Sequence, residues 1–217
     1  MSDYSARRTI MVDTQVRPSD VTKFPIIDAM LMVPRELFVP RAVKESAYIG
    51  ENCTLTDGRV VLEPRTLAIM LDALDMRDNE LVLDIGAGFG YSAAVIARMA
   101  EAVVALEEES ELVAEAVGLL SEIGADSVLV QSGPLVSGAA RHGPFDVIVL
   151  QGGVEQVPEA LLAQLKDGGR IAAIFMDGAL GEVRIGYKIN ARLNWRFAFN
   201  AGAPVLPGFA KTPVFSL

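Results

Sequence analysis

The chain has 217 residues, 51% of them hydrophobic and 22% charged, a size and apolar content that suit one buried core and a single α/β domain over 1–217. Its net charge of −9 argues against a nucleic-acid enzyme, which needs a strongly basic face to meet phosphates. One cysteine, Cys53, and one histidine, His142, exclude an internal disulfide and leave too few ligands for a structural zinc site, so no metal is expected.

Apolar residues come in runs of about five to eight, well short of the roughly 20 that a membrane helix requires. The first twenty residues are polar, with Asp13 following Arg7-Arg8 where a signal peptide would need an apolar stretch. A soluble, cytoplasmic protein is expected. Cys53 is expected to be an ordinary semi-buried thiol, because the one histidine lies in a loop-like Arg141-His142-Gly143-Pro144 segment. Lys and Arg against Asp and Glu number 10 to 13 over residues 1–80, 2 to 12 over 81–165 and 7 to 3 over 166–217. The tail cations Arg184, Lys188, Arg192, Arg196 and Lys211 are either a solvated face or an attraction for an anionic substrate.

In chain order, residues 4–17 have a loosely helical pattern, and Phe24 to Leu31 predicts a short helix with Pro25 in its first turn. Val33 to Pro40, with two prolines, predicts an irregular packed connection, and the polar Tyr48-to-Gly58 stretch predicts a loop. Pro64 is placed to start a helix whose apolar residues run at helical spacing through Leu74. Residues 1–80 therefore read as a helical and looped cap.

From Leu81 the pattern alternates: strand 81–85, helix 90–99, strand 102–106, helix 109–123, strand 127–131, strand 145–150, helix 158–166, strand 170–176. Such alternation predicts parallel βαβ units, with Gly168-Gly169 ending the last helix. Glu182 to Ile189 and Leu193 to Phe199 alternate in part and predict a hairpin closing the sheet edge. The expected fold is α/β, a Rossmann-like, doubly wound and mostly parallel sheet with a C-terminal antiparallel edge hairpin and an N-terminal cap.

Chemistry concentrates at Asp84-Ile85-Gly86-Ala87-Gly88-Phe89-Gly90, a glycine turn between a buried strand and a helix. Glycines let a ligand approach the backbone, and a helix N-terminus offers N–H groups. Glu107, at the end of the next strand, can accept two ribose hydroxyls. A nucleoside cofactor is implied. The spacing Gly86-x-Gly88-x-Gly90 departs from the G-x-G-x-x-G of dinucleotide sites, and an acid before the turn suits an ammonium group better than phosphates. This points to S-adenosylmethionine.

Three blocks resemble the protein-L-isoaspartate O-methyltransferase family: Met30-Leu31-Met32-Val33-Pro34-Arg35-Glu36-Leu37-Phe38-Val39-Pro40, Val82 to Ala94, and Phe145 to Val149 continued by Val157 to Arg170. The resemblance implies S-adenosylmethionine-dependent methylation of the α-carboxylate of isoaspartyl residues in proteins or peptides, which begins their repair. It implies Asp84, Gly86, Ala87, Gly88, Gly90, Glu107, Gly133 and Pro134 on the cofactor side. The acceptor side is the segment Val60-Val61-Leu62-Glu63-Pro64. Two departures stand out. Leu62 occupies the serine position of the family's Thr-Ile-Ser-Gln-Pro type segment, and a leucine donates no hydrogen bond. Gly133-Pro134-Leu135 replaces Gly-Asp-Gly, and Pro134 cannot accept the adenine amino hydrogen bond. A methyltransferase of this fold with another acceptor, or a non-catalytic binding protein, are the alternatives.

Overall fold

The computed structural model describes residues 3–211; residues 1–2 and 212–217, the outer ends of the expected cap and basic tail, lie outside the described residues. Asp3 starts the first helix, α1 (Tyr4–Met11), by accepting the Ala6 N–H at 3.0 Å. After a wider turn at Val12–Val16 comes α2 (Phe24–Met32), which has Pro25 in its first turn and stops before Val33-Pro34, where the residue preceding a proline disfavours helix. Arg35 and Glu36, both buried, bind the following irregular segment together. Arg35 Nε donates to the Ala47 carbonyl at 2.6 Å, its guanidinium lies 4.9 Å from the Tyr91 ring centre, and Glu36 accepts from the Tyr48 hydroxyl.

The stretch expected as a loop between Tyr48 and Gly58 is instead largely a hairpin. Strands β1 (Cys53–Thr56) and β2 (Arg59–Val61) pair antiparallel as a separate two-stranded sheet around Asp57-Gly58. The threonines that made the stretch read as polar are β-branched and suit a strand, and Gly58 supplies the turn at φ +71°. Helix α3 (Pro64–Leu74) follows, with Pro64 in its first turn and Asp75 ending it at φ +49°.

Next come β3 (Leu81–Ile85), α4 (Tyr91–Ile96), β4 (Ala102–Glu107), α5 (Ser110–Glu122), β5 (Val128–Ser132), β6 (Phe145–Val154), α6 (Glu159–Leu162), β7 (Leu165–Asp177), β8 (Leu180–Ile189) and β9 (Arg192–Asn200). They form one sheet in the order β5-β4-β3-β6-β7-β8-β9, parallel through β7 and antiparallel in its last two pairings. This is the expected Rossmann-like arrangement with its edge hairpin. Continuous apolar strands are needed because both faces are covered: Val82 packs into the core shared with the cap, α3 and α4, while Leu83 and Ile85 point to the opposite core with Leu161, Leu206 and Phe209. The helix expected over 158–166 is shorter. Leu165 already pairs with Phe145, and Gly168, at φ +82°, bends the strand rather than capping a helix. Arg170 joins β7 to the end of α3, holding Glu80 with both guanidinium nitrogens at 2.6 and 2.9 Å. Among the described residues no helix is long and apolar enough to cross a membrane.

Candidate active site

Parallel order brings the ends of β3, β4, β5 and β6 to one edge, with the glycine turn at its centre. Gly86, Gly88 and Gly90 have φ of +77°, +57° and +96°, conformations that L side chains rarely adopt. The Gly86 and Ala87 amides both donate to the Leu106 carbonyl, at 2.9 and 3.3 Å, and Gly90 N–H closes onto the Ala87 carbonyl at 2.8 Å. The turn is thereby fixed against the end of β4 before α4 begins at Tyr91.

Asp84 lies fully buried beneath this turn. The Ser92 hydroxyl donates to one carboxylate oxygen at 2.5 Å and the Gln151 amide to the other at 2.7 Å. Burial pushes its pKa up to about 6, against the lowering effect of the two hydrogen bonds. Both oxygens thus face protein donors. Neither Ser92 nor Gln151 is among the residues expected at the site; the sequence signal for Gln151 is a neutral polar residue following the apolar run Val147 to Leu150.

Glu107 ends β4 and is also fully buried. Its Oε1 accepts from the amides of Glu108 at 2.8 Å and Glu109 at 3.3 Å, at the start of α5. Its Oε2 accepts from the Gly88 amide at 2.9 Å and from the guanidinium of Arg59, on β2, in an ion pair with 1% and 0% of the two side chains exposed. A carboxylate has about four lone-pair positions, and here all are used. Arg59 is less well served: its Nε and Nη1 make no hydrogen bond, and its Nε is 3.8 Å from Glu109 Oε1. Each such buried donor costs about 1–3 kcal/mol.

The hairpin also covers the turn itself. A Cβ on Gly86 would sit 2.8 Å from Arg59 Nη1 and 3.3 Å from Leu206 Cδ2, and one on Gly88 would strike Leu55. The space between the hairpin and the turn, lined by Val60, Val61, Leu62, Ala87, Ser92 and Gln151, is about 10 Å³. That is barely one water, against roughly 300–1,000 Å³ for a ligand site. Larger clefts lie elsewhere, such as one of about 670 Å³ beside Lys188, Arg192 and Trp195.

On the acceptor side Leu62 is buried, Glu63 accepts the Thr66 hydroxyl at 2.6 Å, and the Glu63 amide donates to Asn52 Oδ1 at 2.8 Å. Pro64 opens α3 directly behind them. Gly133 donates to the Glu107 carbonyl at 3.0 Å, setting Pro134 beside the acidic turn, where Leu135 N–H reaches Glu108 Oε2 at 3.2 Å. Three of the tail cations, Arg184, Lys188 and Arg196, have partners of their own elsewhere on the sheet. Arg184 pairs with Glu182 at 2.7 Å, Lys188 donates to the Leu162 and Leu165 carbonyls, and Arg196 lies over Tyr187. Cys53 is buried against Arg35.

The model of the protein-L-isoaspartate(D-aspartate) O-methyltransferase family matches residues 8–177. A protein-L-isoaspartate O-methyltransferase from Syntrophus aciditrophicus is 36% identical over 171 residues, 79% of this chain and 78% of that protein. One from Methylorubrum extorquens is 38% identical over 169 residues, 78% of this chain and 74% of that protein. Among solved structures, a protein-L-isoaspartate O-methyltransferase superposes with a TM-score of 0.80 at 23% identity, over 94% of this chain and 66% of that one. A Plasmodium falciparum protein described as a putative protein-L-isoaspartate O-methyltransferase, solved with S-adenosyl-L-homocysteine, gives 0.78 at 16% identity over 95% of this chain and 99% of that one. The chain belongs to the protein-L-isoaspartate O-methyltransferase family.

Proposed function

We propose that the protein uses S-adenosylmethionine to methylate the free carboxylate of isoaspartyl residues in damaged proteins or peptides, the step that begins their repair. The observation that carries this reading is the glycine turn after β3 with a fully buried carboxylate, Glu107, at the end of β4, in a chain that belongs to this family. The donor set suits an adenosyl cofactor. Glu107 would take the ribose hydroxyls, the Gly86-Ala87-Gly88-Phe89-Gly90 backbone would let the cofactor approach, and Gly133 and Pro134 would border the adenine. Asp84 would support the turn from beneath through Ser92. Arg59, Leu55 and Leu206 lie against the glycine backbone that the cofactor would approach.

When bound, the cofactor supplies a methyl group on a sulfonium, a group a carboxylate can attack directly. An acceptor carboxylate with a pKa near 4 is already ionised at neutral pH, so this chain's residues need only position it and exclude water. No general base is required. Val60 to Pro64 would form the acceptor side. The proposal includes a single domain, a cytoplasmic setting, and a protein or peptide partner rather than nucleic acid, the last supported by the net charge of −9.

A second reading, the same cofactor with a different acceptor, is favoured by buried, apolar Leu62 at the family's serine position. Methanol release from an isoaspartyl peptide, measured against other carboxylate acceptors, separates the two. Turnover confined to another acceptor rejects the isoaspartyl assignment.

A further inference from the structure

We infer that the β1–β2 hairpin is a gate built into the cofactor site, in which the Arg59 guanidinium and the cofactor's ribose compete for the Glu107 carboxylate; this rests on the cofactor reading given above. Glu107 Oε1 is committed to two backbone amides of its own chain, so a ribose hydroxyl can reach the carboxylate only by displacing what lies on Oε2. Of the two donors there, the Gly88 amide is fixed in the turn and Arg59 is carried on the hairpin. The same movement that withdraws Arg59 lifts its Nη1 from Gly86 and Leu55 from Gly88, uncovering Gly88 and leaving Leu206 as the side chain still against Gly86.

The hairpin is suited to such movement. It is a two-stranded sheet with no strand pairing to the seven-stranded one, so its tip can lift without breaking that sheet while Cys53, Val60 and Val61 stay packed in the core. Away from the ion pair, its tip is held by the Thr56 hydroxyl on the exposed side of Glu109, at 3.1 Å. The closed state also leaves two Arg59 donors unbonded although the side chain is buried, so opening returns them to water. When the competent state is a fraction of the population, apparent affinity falls by that fraction.

The experiment is calorimetric titration of S-adenosylhomocysteine into the wild type, Arg59→Ala and Leu55→Ala, with hydrogen exchange of the wild type with and without saturating ligand. Circular dichroism verifies folding. The gate predicts binding at least tenfold tighter for Arg59→Ala and severalfold tighter for Leu55→Ala. It also predicts faster amide exchange over residues 54–61 when the wild type is loaded. Equal affinities for the wild type and folded variants, or unchanged exchange in the loaded wild type, overturn the gate and leave the cofactor reading standing. Absence of millimolar binding by the wild type and every folded variant overturns both. Should Arg59→Ala not fold, Leu55→Ala and the wild-type exchange experiment decide.

Discussion

Replacing Glu107 by Gln keeps the shape of the side chain and removes its charge, leaving Arg59 buried at 1% exposure with no anionic partner within hydrogen-bond reach. Breaking a buried ion pair from one side costs about 3–5 kcal/mol, because the remaining charge stays out of water. Four donors converge on the carboxylate, the amides of Gly88, Glu108 and Glu109 and the Arg59 guanidinium, and a carboxamide turns an NH₂ group toward one side of that set. With roughly 2–4 °C per kcal/mol for a chain of this size, the melting temperature should fall by about 6–20 °C. The double variant Arg59→Met, Glu107→Gln removes the stranded charge while keeping an acceptor for the backbone amides, and should recover part of the loss. Urea unfolding followed by circular dichroism measures both. A loss below about 1 kcal/mol for Glu107→Gln would refute the reasoning, because a pair that cheap to break behaves as a solvated one.

Three further outcomes follow from the same geometry. Asp84 has a folded pKa of about 6, above the ordinary carboxylate value, so the folded state holds its proton more tightly and ionisation opposes folding as pH rises from about 4 through 6. Asp84→Asn should therefore gain stability relative to the wild type across that window, by about 3 kcal/mol, as measured by paired urea titrations at pH 4 and 7; a difference independent of pH would contradict this. Gly88→Ala should lose at least roughly 1–2 kcal/mol from its left-handed backbone at φ +57°, and displacement of Leu55 adds to that; an unchanged unfolding midpoint would count against the turn as described. Pro134→Asp puts an acceptor where the family resemblance implies the adenine and should tighten S-adenosylhomocysteine binding severalfold by calorimetry, an effect that must be absent if residue 134 does not border the adenine.

The sheet was legible because its physics is local. Strands covered on both faces need unbroken apolar runs, and Leu81–Ile85 and Phe145 onward are such runs. Glu107 stood out by its place at a strand end after the glycine turn. The β1–β2 hairpin was misread as a loop because Thr54 and Thr56 made it look polar, although Asp57-Gly58 was a turn signal between two short strands. Arg59 could not be read as buried at all. An arginine enters a core only with a partner, and its partner is 48 residues away on a different sheet. Asp84 is a subtler instance. An acid before a glycine turn suggested an ammonium ligand, whereas its carboxylate is occupied by Ser92 and by Gln151, the latter brought close by the pairing of β3 with β6. The shortened α6 has a similar origin, since pairing of Leu165 with Phe145 draws into the sheet residues whose own pattern favours helix.

This edge, once its hairpin has moved aside, is expected to methylate an isoaspartyl carboxylate. Methanol release from an isoaspartyl peptide and its aspartyl counterpart, at an S-adenosylmethionine concentration that saturates binding, tests it most directly. Cofactor-dependent release is expected from the isoaspartyl peptide alone, and a wild type that binds cofactor yet releases methanol from neither peptide would rule the isoaspartyl activity out.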